Sequence, residues 1–489
     1  MKISTAILSS LVALAVTPTS WVFAQDGTPN IPTTGTASSY ACDPNTCKLP
    51  TCQCASQSPP GGLKPEEVPQ FVTITFDDSI QAKLVETAHA LLNVRNPNGC
   101  PAKGSWYVSM EYTDFSLVQQ WYANGHEVAD HTFSHVGTPS AQEIQAARAM
   151  LHEYAGAPLG KIQGFRAPFL NYTADTLNEI SKQGFVYDSS ATAVTDDCYW
   201  PYTLDNGMAN DCWTGICGAG IKLPGVWEIP MYAVVDNANT AQLMDVYLAG
   251  SSQDVTTWTT TNFDRHYNGN RQPFGIYVHP THLTKFDGVP IVPGAEEPDV
   301  MQKNLVEVIQ QIAAKENVWF VSNAQLLEWM KNPVPISKLA EQSYMKCDLP
   351  NTGKEICNGL QNITVADTGV VSSALTNNCN FNVTNWGTCF NCPSAAPTVD
   401  NPTPPPASSD RHAVPDNCDS IWWDPVAGQC LCTTDSCAYK DTAVPVNGTD
   451  GKGNGSGSKD GDSAAISISP VVSVAVIGSV AAGAFSLLL

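Results

Sequence analysis

The chain has 489 residues, a length typical of two to four domains or of one large barrel with appended segments. Only 14% of the residues are charged and 43% are hydrophobic, which excludes a disordered chain or a coiled coil over most of the length. The 46 acidic residues outnumber the 24 basic ones, giving a net charge of −22. This acidity excludes a nucleic-acid-binding protein, which needs a basic surface, and instead favours a highly soluble surface or contact with a cationic polymer.

The first 24 residues are typical of a secretory signal. Lys2 supplies the positive start, residues 7–16 are mostly apolar, and residues 22–24 offer small side chains before a cleavage point. The apolar run is too short to span a bilayer, which disfavours a membrane anchor at this position. Residues 25–68 follow as a Ser/Thr-rich leader and a Cys-rich cap that is too short to have a core of its own.

Residues 69–335 are predicted to form the folded body, in which short β-type runs alternate with helical patterns. The predicted strands are 71–76, 105–108, 127–129, 275–278 and 318–321. The predicted helices are 80–92, 115–122, 300–314 and 324–330. Repeated βα units over this length predict an α/β fold with a (β/α) barrel. Catalytic groups of such barrels lie where strands end, so polar clusters directly after strands are the candidate site residues.

The remaining segments differ in composition from the body. They are a Cys-rich extension (336–392), a Pro-rich linker (393–417), a small Cys cluster (418–440), a Gly/Ser-rich spacer (441–465) and a hydrophobic tail (466–489). Small residues, a spacer and an apolar tail are typical of a signal for a glycolipid (GPI) anchor, with attachment between about Asn454 and Ser463. A tail-anchored helix is the alternative, disfavoured by the many Gly, Ala and Ser residues. The 418–440 cluster, with Trp422 and Trp423, fits a disulfide-stapled stalk or a polysaccharide-binding segment.

The chain contains 17 cysteines, which in a secreted protein indicate disulfides. Because the number is odd, one thiol is free or paired elsewhere, and no cysteine lies in either terminal signal. Glycosylation sequons agree with the secretory route; they occur at Asn171, Asn362, Asn382, Asn447 and Asn454.

Two adjacent carboxylates, Asp77 and Asp78, come directly after the first predicted strand. Neighbouring carboxylates at a buried strand end repel each other unless a cation or a proton relieves the repulsion. One of them can then bind a metal while the other stays free as a base. An exposed turn is the alternative interpretation of the Asp-Asp-Ser sequence.

His131 and His135 follow the 127–129 strand at a spacing that places both on one side of a helical turn. Together with Asp78 they predict a metal site of two imidazoles and one carboxylate that leaves positions open for water and substrate. This ligand set favours Zn²⁺, and Co²⁺, Mn²⁺ and Ni²⁺ also fit it.

Two further polar residues are candidates for the same site. Arg166 lies in a Pro-containing turn and can hold a carboxylate bidentately. His279 follows the strand 275–278, where an imidazole is suited to donate a proton near neutral pH. A surface arginine and a structural histidine are the alternatives. His282, three residues further on, is a weaker candidate for the same site.

These pieces, in this order, resemble the five motifs of the polysaccharide deacetylase family (carbohydrate esterase family 4), in its chitin deacetylase-like branch. The first three matches are Thr75-Phe-Asp-Asp-Ser79, with Ser for the usual Gly; His131-Thr-Phe-Ser-His135; and Arg166-Ala-Pro-Phe169, with Phe for the usual Tyr. The last two are Asp188-Ser-Ser190, which matches most loosely, and Val278-His279. The resemblance covers roughly residues 42–335 and implies a distorted (β/α) barrel of the polysaccharide deacetylase type.

The resemblance also implies a role for each matching position. Asp77 corresponds to the catalytic base, and Arg166 to the residue that orients it. Asp78, His131 and His135 correspond to the metal ligands. His279 corresponds to the general acid, with Asp188 as its charge partner, and the backbone N–H of Phe169 corresponds to the oxyanion donor.

The expected activity is hydrolysis of the N-acetyl groups of chitin at the cell surface or cell wall, giving chitosan and acetate. A deacetylase of peptidoglycan or acetylxylan and a non-catalytic chitin-binding wall protein are the alternatives. The complete set of motif residues argues against a non-catalytic protein. Trp106, Tyr107 and Trp227 fit packing inside the barrel better than lining of a sugar cleft.

Overall fold

The computed structural model describes residues 40–286, 296–347, 377–381, 385–388 and 392–405, with the backbone of 423–424 and 429–430. The described residues all belong to one compact unit, Met1–Val446. The predicted secretory signal, anchor spacer and apolar tail lie outside them, as do Trp422 and every sequon except Asn171. Among the helices of the described residues, none is long and apolar enough to cross a membrane.

Helices and strands alternate through the body, as predicted. The helices are α1 Ala82–Leu91, α2 Phe115–Ala123, α3 Ala141–Ala155, α4 Ala174–Lys182, α5 Ser252–Asn268, α6 Pro298–Ala313, α7 Asn323–Lys331 and α8 Ile336–Leu339. The strands are β1 Gln70–Asp77, β2 Ser105–Val108, β3 Glu127–Asp130, β4 Gly164–Phe165, β5 Tyr187–Asp188, β6 Thr192–Ala193, β7 Tyr202–Thr203, β8 Trp227–Glu228, β9 Met231–Tyr232, β10 Val234–Val235, β11 Ala241–Gln242, β12 Phe274–Val278, β13 Val318–Phe320, β14 Asn377–Asn380, β15 Asn385–Thr388, β16 Trp423–Asp424 and β17 Gln429–Cys430.

A nine-stranded sheet forms the centre of the fold, and it confirms the expected α/β fold with a distorted barrel. The strand order is β12-β1-β2-β3-β4-β5-β8-β7, with β13 also paired to β1. Its pairs are parallel except the antiparallel β7–β8 pair. Because β12 and β7 are the two ends of this order, the curled sheet is an open barrel. Every residue of β1 is buried, as expected for a central strand of a parallel sheet.

The predicted elements agree with the observed ones to within two residues at each end. Helices α3, α4 and α5 and the two-residue strands between Gly164 and Gln242 have no counterpart among the predicted elements. Strands this short carry no hydrophobic period. The three helices do have a local signal, because each follows a Ser or Thr N-cap whose side chain accepts a backbone N–H three residues on. Trp106, Tyr107 and Trp227 are at most 2% exposed, in agreement with the packing interpretation.

Disulfides join cysteines within the appended segments, within the body, and between the body and the Cys-rich extension. The described pairs are Cys42–Cys54, Cys47–Cys52, Cys100–Cys347, Cys212–Cys217 and Cys379–Cys392. Cys198 is free and buried, with its Sγ atom 4.0 Å from His266 Nε2. Ten paired cysteines and Cys198 leave six of the 17 outside the described disulfides, an even number. Cys198 is the free thiol found among the described residues.

The β14–β15 hairpin of the Cys-rich extension packs on the body. The Trp386 ring lies 4.9 Å from the Phe115 ring and 4.8 Å from the Tyr154 ring, measured between centroids. Thr388 Oγ1 also donates a hydrogen bond to the Tyr154 carbonyl oxygen at 3.0 Å. This part of the extension thus adds to the core between α2 and α3.

Candidate active site

The predicted site residues meet at one edge of the sheet. Asp77 is the last residue of β1 and Asp78 follows it, while His131, Arg166 and His279 each follow β3, β4 and β12 directly. Since these strands are parallel neighbours, their carboxyl ends lie along the same edge. The site is therefore built by register of the sheet, although its residues are as much as 200 positions apart in the chain.

Asp78, His131 and His135 form the cluster that can hold a metal. Asp78 Oδ1 lies 3.0 Å from His135 Nε2 and 3.8 Å from His131 Nε2, and one ligand atom from each residue lies within 4.8 Å of the others. Asp78 Oδ1 is buried and makes no aligned hydrogen bond with the described residues. A buried carboxylate oxygen without such a partner is costly, and a cation between the three side chains removes that cost.

The protonation state of His131 also fits metal binding. Its Nδ1 lies 2.8 Å from the Arg166 carbonyl oxygen, which can only accept a hydrogen bond, so Nδ1 carries the proton. Burial lowers the pKa of His131 to about 4, although the nearby Asp77 and Asp78 oppose the shift. The neutral ring then presents the Nε2 lone pair to the cluster. Two imidazoles and one carboxylate suit Zn²⁺ and also accept other divalent ions.

The segment from His131 to His135 is a loop, so the prediction of a helical turn was wrong. Thr132 and His135 have φ values of 68° and 51°, in the left-handed region. The Thr132 N–H donates to Asp130 Oδ1 at 2.8 Å, and the Ser134 N–H donates to Glu143 Oε2 at 2.8 Å. These side-chain hydrogen bonds replace helical ones and bring the two imidazole centroids to 5.1 Å.

Arg166 fixes the orientation of Asp77. Both side chains are almost fully buried, and Arg166 Nη1 donates to Asp77 Oδ1 at 2.6 Å and to Thr75 Oγ1 at 2.9 Å. The guanidinium carbon also lies 3.9 Å from the centroid of the Tyr107 ring. The contact uses one nitrogen and is not the bidentate pair that the sequence suggested. Asp77 Oδ2 remains 3.9 Å from His131 Nε2 and faces the ligand cluster.

The carboxylate that contacts His279 is Asp245, which corrects the assignment of Asp188 as its charge partner. Asp245 Oδ2 lies 2.6 Å from His279 Nδ1, and Asp245 Oδ1 accepts the His279 backbone N–H at 2.8 Å. Burial disfavours the charged imidazole, but the charge and hydrogen bond of Asp245 outweigh it and, with Asp78 and Asp77, raise the pKa of His279 to about 10. His279 is therefore protonated at neutral pH, with its Nε2 atom 3.9 Å from Asp78 Oδ2.

Asp188 has a different set of contacts. Its carboxylate accepts the Ser190 N–H at 2.9 Å and the Ser190 hydroxyl at 2.8 Å, and it is fully buried. Ser190 Oγ in turn accepts the Ala167 N–H at 2.9 Å, while the Ser189 carbonyl accepts Arg166 Nε at 2.8 Å. The turn from Asp188 to Ser190 thus holds the Arg166 side chain and the Ala167 N–H in place. Its hydrogen bonds do not involve His279.

Phe169 occupies the rim of the site. Its side chain is 61% exposed, its φ is 58°, and its ring centroid lies 4.7 Å from that of His135. The Phe169 N–H donates no hydrogen bond to the described residues. This backbone group is therefore available to a ligand next to the metal cluster.

Sequence reasoning missed Asp245, and little in the sequence could have found it. It lies 34 residues before His279, in a loop, with φ of 53° and its N–H bonded to the Tyr277 carbonyl. No spacing rule connects an isolated loop acid to a histidine that distant. His282 is also near, with Nε2 3.9 Å from Asp245 Oδ2.

Comparisons with known proteins point to one family. A family model described as polysaccharide deacetylase matches residues 64–187. Chitin deacetylase 8 of Bombyx mori is 35% identical over 321 residues, covering 62% of this chain and 81% of that protein. Chitin deacetylase 1 of Bombyx mori is 28% identical over 389 residues, covering 74% and 68%. The solved chitin deacetylase of the fungal pathogen Colletotrichum lindemuthianum is 11% identical, covering 55% of this chain and 92% of that one, with a TM-score of 0.30.

The fold and these relatives define a hydrolase of the deacetylase class, built on an open α/β barrel. The chain belongs to the polysaccharide deacetylase family.

Proposed function

We propose that this enzyme hydrolyses the N-acetyl group of N-acetylglucosamine units in chitin, releasing acetate and leaving chitosan. The observation that carries the proposal is the convergence of Asp77, Asp78, His131, His135 and His279 at one edge of the sheet. The 35% identity to chitin deacetylase 8 of Bombyx mori supports chitin as the polymer.

Asp78, His131 and His135 are the proposed ligands of a divalent metal, with Zn²⁺ preferred. When bound there, such an ion lowers the pKa of water toward neutrality and polarises the acetyl carbonyl. The protein itself keeps the His131 ring neutral and the Asp78 carboxylate ionised, the forms that bind a metal. Burial opposes ionisation of Asp78, but contact with His135 and the charges of His279 and His131 hold its pKa well below the usual range.

Three groups of the chain then perform the remaining steps. Asp77, held by Arg166 with one oxygen facing the cluster, takes a proton from the attacking water. As water adds to the acetyl carbon, the negative charge forms on the carbonyl oxygen, and the Phe169 N–H donates a hydrogen bond to this oxyanion, a contribution of roughly 3 kcal/mol for one such donor. His279, kept protonated by Asp245, gives its proton to the departing amine, and acetate is released.

Acetate release from chitin, peptidoglycan and acetylxylan, measured with and without a chelator, tests both the choice of polymer and the requirement for a metal. We expect the largest kcat/KM on chitin oligomers, complete loss after treatment with a chelator, and recovery on adding Zn²⁺ or Co²⁺. Faster release from peptidoglycan or acetylxylan would reassign the substrate. Chitin binding without acetate release, with the metal present, would identify a non-catalytic wall protein.

We also propose that the protein is secreted and attached by a glycolipid anchor to the outer face of the plasma membrane or to the cell wall. Disulfides such as Cys100–Cys347 form in oxidising compartments, and the composition of residues 441–489 matches an anchor signal. Phosphatidylinositol-specific phospholipase C should release the protein from cells. Retention after this treatment, together with resistance to salt washing, would favour a membrane-spanning tail.

A further inference from the structure

Asp245, His279 and His282 form a second cluster of side chains that can hold a metal, separate from the cluster around Asp78. One ligand atom from each of the three residues lies within 4.8 Å of the other two. The proposed reaction uses His279 as the proton donor and Asp245 as its partner, but it gives His282 no part. What His282 adds to this pair is a third ligand.

The backbone brings the two imidazoles together. Residues Pro280–Leu283 form a single turn of 3-10 helix directly after β12, and the His282 N–H donates to the His279 carbonyl oxygen at 3.1 Å. Side chains three residues apart in such a turn lie on the same side of it. The centroids of the two rings are accordingly 5.9 Å apart.

Asp245 is held against the same strand end. Its backbone N–H donates to the carbonyl oxygen of Tyr277, a residue of β12, at 3.0 Å. Its Oδ1 atom accepts the His279 N–H at 2.8 Å and also accepts the Tyr247 hydroxyl. With Oδ1 occupied by these donors, Oδ2 is the oxygen that faces the two histidine rings.

The distances between the ligand atoms suit one small cation. Asp245 Oδ2 lies 2.6 Å from His279 Nδ1 and 3.9 Å from His282 Nε2. Two ligand atoms bound tetrahedrally to Zn²⁺ are roughly 3.3 Å apart, given metal–ligand distances of about 2.0–2.1 Å. The two observed separations lie on either side of this value, so small rotations of the side chains place an ion among the three atoms.

The cluster is open to an ion from solvent. The side chains of His279 and His282 are 25% and 37% exposed. Among the described residues, the His282 ring has no hydrogen-bond partner, because its distance to Asp245 is too long for a hydrogen bond. An imidazole nitrogen that faces a carboxylate without bonding to it is available as a metal ligand.

This cluster should bind an ion more weakly than the cluster around Asp78. An ion here has to displace the proton and the hydrogen bond between His279 Nδ1 and Asp245 Oδ2. At the other cluster Asp78 Oδ1 is buried without an aligned hydrogen bond, so an ion displaces no such bond there. The Asp78 cluster therefore fills first, and the second cluster fills only at higher concentrations of the ion.

We propose that Asp245, His279 and His282 bind a second divalent ion, with Zn²⁺ preferred, and that this ion inhibits the enzyme. The inference rests on the proposed function, in which His279 is the proton donor. Binding at Nδ1 releases one proton to solvent and leaves the ring neutral, with its remaining proton on Nε2. A neutral imidazole N–H is a far weaker acid than an imidazolium, so the departing amine receives no proton from it.

The test adds increasing Zn²⁺ to metal-free, untagged wild type and to His282→Ala. Equilibrium dialysis followed by metal analysis should find two ions in wild type, bound in two separate steps, and one ion in His282→Ala. Wild-type acetate release should rise during the first step and then fall by about 10²-fold, the contribution typical of one general acid, during the second. His282→Ala, compared with its own maximum, should show no such fall.

His152→Gln is the matched control, because it removes an imidazole that lies in α3 and contacts the Ala157 carbonyl oxygen at 2.8 Å. It should keep both binding steps and the inhibition. A single zinc ion in wild type, or inhibition in His282→Ala with the wild-type midpoint, would overturn the second site. A wild type that binds two ions but releases no acetate at any zinc concentration would instead refute the proposed function.

Discussion

Residues 70–188 and residues 189–286 build their parts of the site in different ways. In the first region β1, β2 and β3 have four to eight residues each, and the functional side chains follow directly at strand ends. In the second region the strands before β12 have two residues each, and Asp245 lies in a loop. The proposed metal ligands and base thus depend mainly on sheet register, whereas the proposed proton donor His279 also depends on its side-chain contact with Asp245.

Asp245 shows how side-chain contacts position a residue of the second region. Its Oδ1 accepts the His279 N–H and also the Tyr247 hydroxyl, and its Oδ2 contacts the His279 ring. The family match ends at residue 187, close to the boundary between the two regions. The first region thus supplies the proposed metal ligands and base, while a loop of the second region supplies the carboxylate that pairs with His279.

The largest expected effects come from changes in the first region. Asp77→Asn should lower kcat by at least about 10²-fold, because the amide cannot take a proton, while bound metal is retained. His131→Ala should lose both metal and activity, because the cluster loses one of two imidazoles. Acetate release and metal analysis by mass spectrometry measure the two outcomes.

Asp175→Asn, an exposed change in the first turn of α4, is the control for Asp77→Asn and should behave as wild type. Wild-type turnover in Asp77→Asn would exclude it as the base. Zinc bound at the normal stoichiometry in His131→Ala would contradict the ligand set.

The next prediction concerns the second region and is measured by the dependence of kcat on pH. Asp245→Asn removes the charge that raises the pKa of His279 to about 10. Since His279 must be protonated to act as the acid, the alkaline limb of kcat against pH should move to lower pH, with a kcat loss at neutral pH of about 10-fold or more. Asp188→Asn is the matched control, because Asp188 does not contact His279, and its alkaline limb should stay in place. An unshifted limb in Asp245→Asn would contradict the pairing.

The sequence predicted the first region well for a physical reason. A buried strand such as Phe71–Phe76 is visible as an apolar run, and the polar residues after it stand out at once. The residues that meet at this edge of the sheet could therefore be named from their position along the chain. The local backbone could not be predicted, because the Thr132 N–H donates to Asp130 and the Ser134 N–H donates to Glu143, contacts that no helical spacing indicates.

The second region could not be predicted to the same depth. Asp188 ends the strand β5 and has the local sequence expected of a site residue, yet its carboxylate contacts Ser190. Asp245 has no local pattern, and its role depends on how a long loop packs against β12. Loops of this kind are set by contacts between residues distant in sequence, which a single sequence does not record.

A smaller effect is expected at the turn that supports the Arg166–Phe169 backbone. Ser190→Ala leaves the buried Ala167 N–H without its acceptor, which should cost about 1–3 kcal/mol of unfolding free energy. Because Phe169 follows on the same backbone, kcat should fall severalfold while KM changes little. Urea unfolding and steady-state kinetics measure both, and Ser190→Thr, which keeps the hydroxyl, should restore them. Full kcat in a destabilised Ser190→Ala variant would show that the turn has a purely structural role.

The last expected effect concerns the pH dependence of the free energy of unfolding, at the strands where the two regions meet. Asp188 of β5 and Glu228 of β8 are directly paired in register and both fully buried. Burial and the neighbouring charge of Asp188 raise the pKa of Glu228 well above its ordinary 4.5. Glu228 is therefore neutral in the folded protein over a pH range in which it ionises when unfolded, and Glu228→Gln replaces one neutral group with another of similar shape.

The sign of the pH dependence follows from proton binding. The folded state holds the Glu228 proton more tightly than the unfolded state, so the wild-type free energy of unfolding should fall as pH rises above 4.5 toward the raised pKa. Glu228→Gln lacks this slope and should gain stability relative to wild type between pH 5 and pH 8, by roughly 1 kcal/mol for each pKa unit of the shift within that interval. Urea unfolding at both pH values measures the difference, with the exposed Glu86→Gln as control. Parallel pH dependence in wild type and Glu228→Gln would mean that Glu228 is ionised in the folded protein, which would contradict its raised pKa.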